Sequence, residues 1–181
     1  MFHLIESIRF LDGIPQLLSY HQERLSQSYK ECFRKECPYS LSEIISHEKN
    51  ISLNIVKCRF LYTEKAFQIS FHPYVYKEIQ TVKLIHHNSI DYHLKYNNRD
   101  LLNSLYAKRG EADDIIICKN ELLTDSCFAN IVLFDGKTWF TPAGPLLKGC
   151  MRQSLLDEGI IQKKDIPLPQ IKFYLGEIQF Y

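Results

Sequence analysis

The hydrophobic positions of this chain alternate in some segments and recur at helical spacing in others, which predicts a mixed α/β protein. Alternation is clearest in the second half of 51–62, and 65–74 is predicted to be the hairpin partner of that strand. Apolar residues recur every three or four positions over 20–33 and 98–109, which indicates two amphipathic helices. Further strands are predicted at 2–10, 14–18, 81–86, 114–118, 122–124, 130–134, 138–141 and 176–181.

Two shorter helices are predicted from signals at their ends. Ser40 and Glu43 have the spacing of a capping box, in which the two side chains satisfy backbone N–H groups at the helix start. Gly149 precedes a helix predicted over 150–157, and Gly159 follows it. The expected fold is therefore rich in strands, with a few short helices.

The length of 181 residues suits one domain or two small ones. The segment 74–79 is typical of a crossing between two subdomains, since it connects one strand hairpin to the next predicted strand. We therefore predict a small N-terminal subdomain, 1–76, and a larger C-terminal subdomain, 77–181.

Charge and hydropathy exclude several classes of protein. Lys and Arg total 22 and Asp and Glu total 21, so the formal charge of +1 provides no basic surface for non-specific nucleic-acid binding. The sequence contains no apolar run of about 18 residues, so we expect no transmembrane helix. Its first residues include a glutamate and no basic segment, unlike a signal peptide, which leads us to expect a cytoplasmic location.

The six cysteines do not follow metal-ligand or disulfide patterns. No two have CxxC spacing, and no histidine follows Cys32 and Cys37 at zinc-finger spacing, so no metal site is predicted. A cytoplasmic chain of this size is not expected to carry a disulfide framework. Most of the cysteines are therefore expected to be small buried hydrophobic residues.

Four places in the chain could carry chemistry, and each has a plainer interpretation. The helix start after Gly149 could bind a phosphate, although glycine is common at helix ends. Lys95 lies among aromatic and amide residues and could form an imine if desolvated, or it could be a surface lysine in a connection. Asp125 could pair with a buried cation or belong to a turn. Arg24 could bind phosphate or occupy a solvated helix position.

Taken together and in this order, these residues resemble the class IV aminotransferases, which are pyridoxal-phosphate enzymes of fold type IV. The resemblance covers nearly the whole chain and is most specific from Lys95 to Arg152. It rests on a His-x-x-Arg-Leu helix motif, a Lys-x-x-Asn-Arg motif, an acidic residue five positions before an Asn, a Thr-Pro pair and a Leu-x-Gly-x-x-Arg motif. These motifs are His21–Leu25, Lys95–Arg99, Asp125 with Asn130, Thr141–Pro142 and Leu147–Arg152. The opening segment, with Glu6–Arg9 and Asp12–Gly13, also resembles the start of the family.

The resemblance implies a role for each of five residues. Lys95 would attach the cofactor, pyridoxal 5'-phosphate, and later move protons. Asp125, where the family usually has Glu, would face the pyridine nitrogen as an anion. Arg24 and the backbone N–H groups of Cys150 and Met151 would bind the phosphate. The family fold is α/β with two subdomains, and its members are commonly homodimers, so a second copy of the chain is an expected partner.

The context of Lys95 resembles the aminodeoxychorismate lyase branch of the family. The implied reaction converts 4-amino-4-deoxychorismate, a small amino substrate, to 4-aminobenzoate and pyruvate in the folate branch. One alternative is an aminotransferase acting on branched-chain or D-amino acids. Another is a non-catalytic member with an incomplete site, because family members usually continue through a further phosphate-binding loop. Arg59 and Tyr62, near the end of an alternating strand, are hypothesised to bind the substrate carboxylate.

Overall fold

The structure is a computed structural model that describes residues 3–48, 55–76, 78–173 and 178–180. It is a mixed α/β protein, rich in strands, as the sequence predicts. The chain forms two units. The first comprises Met1–Lys77 and Leu94–Asn98, and the second comprises Glu78–His93 and Arg99–Tyr181. None of the helices in the described part of the chain has the length and apolar character needed to span a bilayer.

The first unit is built on an antiparallel four-stranded sheet of order β2-β1-β3-β4 with two helices. Its elements are β1 (Leu4–Leu11), β2 (Ile14–Pro15), α1 (Leu18–Phe33), α2 (Leu41–Ser46), β3 (Val56–Tyr62) and β4 (Phe67–Pro73). Every second residue of β3 is buried, as the alternating sequence predicts. The predicted hairpin of 51–62 and 65–74 is confirmed over β3 and β4, and the part of the first strand at 51–54 lies outside the described residues.

The start of α1 differs from the sequence prediction. A strand was expected over 14–18 and a helix over 20–33, but β2 ends at Pro15. Leu17 caps the helix in a left-handed conformation, with φ of 53°, and the helix begins at Leu18. Leucine rarely adopts this conformation, so no local signal marks the boundary. The cap of α2 is confirmed, because the Ser40 side chain accepts a hydrogen bond from the Glu43 N–H.

The segment around Lys95 belongs to the first unit, whereas the sequence assigned it to the C-terminal subdomain. The Ile5 N–H donates to the Lys95 carbonyl and the Asn97 N–H to the His3 carbonyl, both at 2.9 Å. These bonds flank an antiparallel bridge between Leu4 and Tyr96. The difference arises because backbone pairing with a strand some 90 residues earlier leaves no pattern in the local sequence.

The second unit contains two sheets, of order β5-β6-β7 and β10-β9-β8-β11. Its strands are β5 (Val82–His86), β6 (Asp114–Lys119), β7 (Leu122–Ser126), β8 (Ile131–Phe134), β9 (Trp139–Pro142), β10 (Ile161–Lys164) and β11 (Ile178–Phe180), and its helices are α3 (Asp100–Tyr106) and α4 (Cys150–Asp157). Single 3₁₀ segments follow at Ala107–Arg109 and Leu168–Phe173.

Most elements of the second unit match the prediction, with two differences. The continuous apolar run of β6 is buried, as expected for a strand covered on both faces. The predicted helix over 98–109 is shorter, since α3 ends at Tyr106 and only a 3₁₀ turn continues it. Strand β10 was not predicted, because three of its four residues are polar and it forms by parallel pairing with β9.

None of the six cysteines, all of which lie in the described part of the chain, forms a disulfide. Four are buried, which agrees with the prediction that most behave as small hydrophobic residues, and Cys32 and Cys37 are half-buried.

Candidate functional site

Asp125 is a buried carboxylate near the end of β7, with only 5% of its surface exposed. Its Oδ1 accepts a hydrogen bond from Asn130 Nδ2 and its Oδ2 accepts one from the Leu147 N–H, both at 2.9 Å. Burial raises the pKa of Asp125 to about 6, although these hydrogen bonds and the charge of Arg152 act in the opposite direction. Asp125 is therefore mostly ionised at neutral pH and takes up a proton in mildly acidic solution.

Asn130 connects Asp125 to the loop that leads into α4. Besides its bond to Asp125, the Asn130 Nδ2 group donates to the Leu147 carbonyl at 2.8 Å. A Cβ atom added to Gly149 would lie only 2.0 Å from Asn130 Oδ1. The backbone conformation does not require glycine at position 149, because any residue can adopt its φ of −74°. The close approach of the Asn130 amide is what requires it.

Replacement of Gly149 by alanine is expected to destabilise the protein by about 2 kcal/mol, because the new methyl group must displace Asn130 and break its buried hydrogen bonds. Urea denaturation of the two proteins measures the change. Gly144→Ala is the matched control in the same loop, since its Cβ would meet nothing within 4 Å, and we expect it to be near neutral. Equal effects of the two substitutions would show that the Asn130 contact is not what selects glycine.

The start of α4 has the features of an anion-binding helix end. Gly149 makes no side-chain cap to the first turn, and no acidic side chain lies in that turn. Cys150 and Met151 are the first two residues of the helix, as predicted. Their backbone N–H groups therefore belong to the first turn, whose N–H groups point out of the helix end. Their role as phosphate donors remains a prediction.

Arg152 holds the beginning of α4 against β9. Only 2% of this arginine is exposed, and its Nε donates to Thr141 Oγ1 at 3.1 Å. Its Nη2 donates to the Pro142 carbonyl at 2.9 Å. The Thr-Pro and Leu-x-Gly-x-x-Arg motifs, which are neighbours in the sequence, are thus joined directly by hydrogen bonds in the second unit.

Arg24 lies on α1 in the first unit and is held by a buried carboxylate. Its Nε and Nη2 donate to the two oxygens of Glu6 at 2.9 and 2.5 Å. His21 Nδ1 lies 2.7 Å from Glu6 Oε2. Burial by itself would raise the pKa of Glu6, but the positive charge of Arg24 and the hydrogen bonds from His21 and Arg24 lower it to about 2. Glu6 is therefore an anion at any ordinary pH.

Lys95 and Arg59 share one face of the first sheet. The Leu4–Tyr96 bridge places Lys95 opposite Ile5, on the face directed away from the core residues Leu4 and Tyr96. Arg59 lies on the same face, because it alternates with the buried residues of β3. Its Nη2 donates a hydrogen bond to Asn97 Oδ1, two residues after Lys95.

Tyr62 lies on the opposite face of β3 from Arg59, so the structure does not bring these two predicted substrate-binding residues together. Tyr62 is 1% exposed within the core of the first unit, and its hydroxyl hydrogen-bonds with Ser28. Burial raises its pKa, so the phenol is neutral. Arg59 is half-buried on the side of the sheet that carries Lys95.

The sequence interpretation gave no role to Glu6 or His21, although both lie in segments that resemble the family. A signal was present for Glu6, because a carboxylate at an alternating position between Leu4 and Ile8 falls on the core face of β1. A buried carboxylate needs partners, and His21 and Arg24 lie three residues apart on one face of α1. Asn97 occupies an unspecified position of the Lys-x-x-Asn-Arg motif, whose Asn is Asn98, and its bond to Arg59 was not foreseen.

A model of the family described as amino-transferase class IV matches residues 3–174. The chain belongs to this family. An uncharacterized protein of Haemophilus influenzae is 34% identical to this chain over 168 residues, which cover 92% of the chain and 89% of the relative.

Solved structures share the fold of this class IV family member. A Haemophilus somnus protein named "putative 4-amino-4-deoxychorismate lyase" is 30% identical, with a TM-score of 0.91 and coverage of 100% of this chain and 95% of that one. A "putative amino-acid aminotransferase" of Mesorhizobium loti is 20% identical, with a TM-score of 0.80 and coverage of 97% and 92%. The PLP-bound form of a "hypothetical aminotransferase" of Mycobacterium tuberculosis is 14% identical, with a TM-score of 0.83 and coverage of 99% and 77%. The last two likenesses concern the fold alone.

Proposed function

We propose that this class IV family member is a pyridoxal-phosphate-dependent lyase that converts 4-amino-4-deoxychorismate to 4-aminobenzoate and pyruvate. Family membership supports the cofactor, and a PLP-bound form is known for a structural neighbour. The name of the Haemophilus somnus relative and the Lys-x-x-Asn-Arg context of Lys95 support the lyase reaction.

The described residues fit a phosphorylated pyridine aldehyde. The first turn of α4 has neither an acidic side chain nor a side-chain cap, which suits a phosphate ester. By the family resemblance, Arg24 would supply a guanidinium to a phosphate. Asp125 is a buried carboxylate ionised at neutral pH, which suits a protonated ring nitrogen. Lys95 supplies the amine that attaches to the aldehyde.

Each of these residues has a distinct task in the proposed reaction. Pyridoxal phosphate, when bound, supplies an electron sink for the negative charge left on the substrate carbon. Asp125 keeps a proton on the ring nitrogen, because its negative charge favours the protonated form. Lys95 would take the proton from the ring carbon that bears the substrate nitrogen. The bond between the neighbouring ring carbon and the enolpyruvyl oxygen would then break, and the released enolpyruvate would take up a proton to become pyruvate.

The observation that carries the choice of substrate is the charge of the sheet face that holds Lys95 and Arg59. We call this face the basic face; it consists of the residues of β1, β3 and β4 that point away from the core. Cross-strand rows on it pair Arg9 with Lys57 and His72, and Ser7 with Arg59 and Ser70. No Asp or Glu lies on this face in the three strands. The proposed substrate carries two carboxylates, which suits a face with several cationic side chains and no anionic one.

Replacement of Arg59 by alanine is expected to raise KM for the substrate roughly tenfold to a hundredfold, with a smaller change in kcat, because a charge-assisted hydrogen bond to a carboxylate is lost. Steady-state kinetics measure both constants. Lys65→Ala, at the exposed turn between β3 and β4, is the matched control for loss of a positive charge.

Because Arg59 also bonds to Asn97, the absorbance of the bound cofactor is recorded for the Arg59→Ala protein. An unchanged spectrum with raised KM supports a direct contact with substrate. An unchanged KM would remove Arg59 from the substrate site.

The reaction itself is tested with purified protein supplied with pyridoxal phosphate. We expect 4-amino-4-deoxychorismate to give 4-aminobenzoate and pyruvate in equal amounts, measured by fluorescence and by a coupled reduction. A parallel reaction offers branched-chain and D-amino acids with 2-oxoglutarate and follows glutamate. Glutamate without 4-aminobenzoate would identify an aminotransferase instead. A protein that gives neither product, and no cofactor absorbance that depends on Lys95, would be a non-catalytic family member.

A further inference from the structure

We propose that Glu6 is a positioning residue that fixes the orientation in which the Arg24 guanidinium binds the phosphate of the cofactor. The inference rests on the proposed function, since it gives Arg24 a phosphate to bind. It concerns a residue to which the family resemblance assigned no role.

The position of Glu6 in the sheet is unusual for a carboxylate. It lies on the core face of β1 in the same alternating set as Leu4, Ile8 and Phe10, and it is fully buried. Each of those neighbours is apolar and also fully buried. An apolar residue would fill this position without losing the hydration of a charge, and replacing buried ion pairs by apolar residues is often neutral or stabilising. Stability alone therefore gives little reason for a glutamate here.

The hydrogen bonds from Arg24 to Glu6 fix the position and the orientation of the planar Arg24 guanidinium. Arg24 Nε donates to Glu6 Oε1 and Arg24 Nη2 donates to Glu6 Oε2. This bidentate geometry leaves the guanidinium little freedom to shift or rotate. His21 Nδ1, at 2.7 Å from Oε2, holds the carboxylate itself. A guanidinium carries five N–H donors in a rigid fork, so binding one edge sets the direction of the remaining donors.

The arrangement persists over the pH range of any assay, because the pKa of Glu6 is lowered to about 2. Without the carboxylate, Arg24 regains the freedom of its side-chain rotamers, which is worth about 1.5 kcal/mol or more for a long side chain. That freedom must then be lost when a phosphate binds. We therefore expect the affinity for a phosphorylated ligand to fall about tenfold when Glu6 is replaced.

The test compares equilibrium binding of pyridoxal phosphate with that of pyridoxal, which lacks the phosphate, followed by absorbance. In Glu6→Gln we expect the dissociation constant for pyridoxal phosphate to rise about tenfold and that for pyridoxal to stay within about twofold. Glu23→Gln, which changes an exposed glutamate on the same helix, is the matched control and should leave both constants unchanged. In an Arg24→Ala background, Glu6→Gln should cause no further loss of pyridoxal phosphate affinity.

Other outcomes overturn the proposal. An equal rise in the dissociation constants of pyridoxal phosphate and pyridoxal would indicate a general structural role for Glu6. Unchanged or tighter binding of pyridoxal phosphate would show that the carboxylate does not orient Arg24 for phosphate. Glu6→Asp provides a second variant if Glu6→Gln does not fold, because it keeps the charge but is too short to hold both nitrogens in the same geometry; it should give the same selective loss to a smaller degree. If the unmodified protein binds no pyridoxal phosphate, the proposed function itself fails.

Discussion

Replacement of Lys95 by alanine is expected to remove the visible absorbance of the bound cofactor and to lower kcat for 4-aminobenzoate formation by about 10⁴-fold or more. The physical reason is that the proposed mechanism gives Lys95 two tasks, attachment of the aldehyde and movement of the substrate proton, and no other residue of the Lys-x-x-Asn-Arg motif can perform either. Absorbance spectra and product formation by the purified variant check both parts of the expectation.

Two further variants separate the chemistry of Lys95 from its charge. Lys95→Arg keeps a positive charge on the basic face but offers no amine that deprotonates readily, so it should be as inactive as the alanine variant. Lys137→Ala, in the exposed turn between β8 and β9, should behave like the unmodified protein. A Lys95→Ala protein that still forms product at near-normal rates would end the proposed mechanism.

Replacement of Asp125 by asparagine is expected to lower kcat by about 10²-fold, because an anion that stabilises a positive ring nitrogen is exchanged for a neutral amide of the same shape. Steady-state kinetics with saturating pyridoxal phosphate measure this loss. Attachment of the cofactor to Lys95 does not depend on this carboxylate, so the visible absorbance should remain. The two readouts together distinguish Asp125→Asn from a variant that has lost its cofactor.

The pH profile provides a second measurement of the role of Asp125. With its pKa raised to about 6 by burial, the carboxylate is ionised above that pH and neutral below it. Activity of the unmodified protein should therefore fall as the pH decreases through about 6, and Asp125→Asn should lack this limb of the profile. Asp125→Glu keeps the charge and should retain more activity than Asp125→Asn. A kcat for Asp125→Asn close to that of the unmodified protein would contradict the assignment.

Local patterns were sufficient for most individual elements. Alternation in 56–62 and the continuous apolar run of β6 follow from how strands expose one face or none. The cap of α2 could be predicted because Ser40 acts on a residue only three positions away. By contrast, Leu17 adopts a left-handed conformation that its residue type does not favour, and β10 has almost no apolar residues. Neither feature has a local cause.

The candidate site shows the same division. The order of motifs from His21 to Arg152 was enough to indicate the family, and the family match confirms it. Which atoms meet could not be inferred, because each contact joins segments that are far apart in sequence. The amide of Asn130 reaches Leu147 and the space above Gly149, and Arg59 reaches Asn97. Arg59 and Tyr62, which seemed a pair on one strand, face opposite sides of it.

The sequence by itself determined the kind of fold and the chemical groups available, because periodicity and residue type act over a few neighbouring positions. The tertiary structure alone decided that the strand holding Lys95 adds to β1, and that Glu6, a single carboxylate in an apolar set, meets Arg24. Pairing of distant backbone groups and the neutralisation of a buried charge depend on which segments come together in space. A local sequence pattern does not specify which distant segments come together, so the contact between Glu6 and Arg24 could be found only in the tertiary structure.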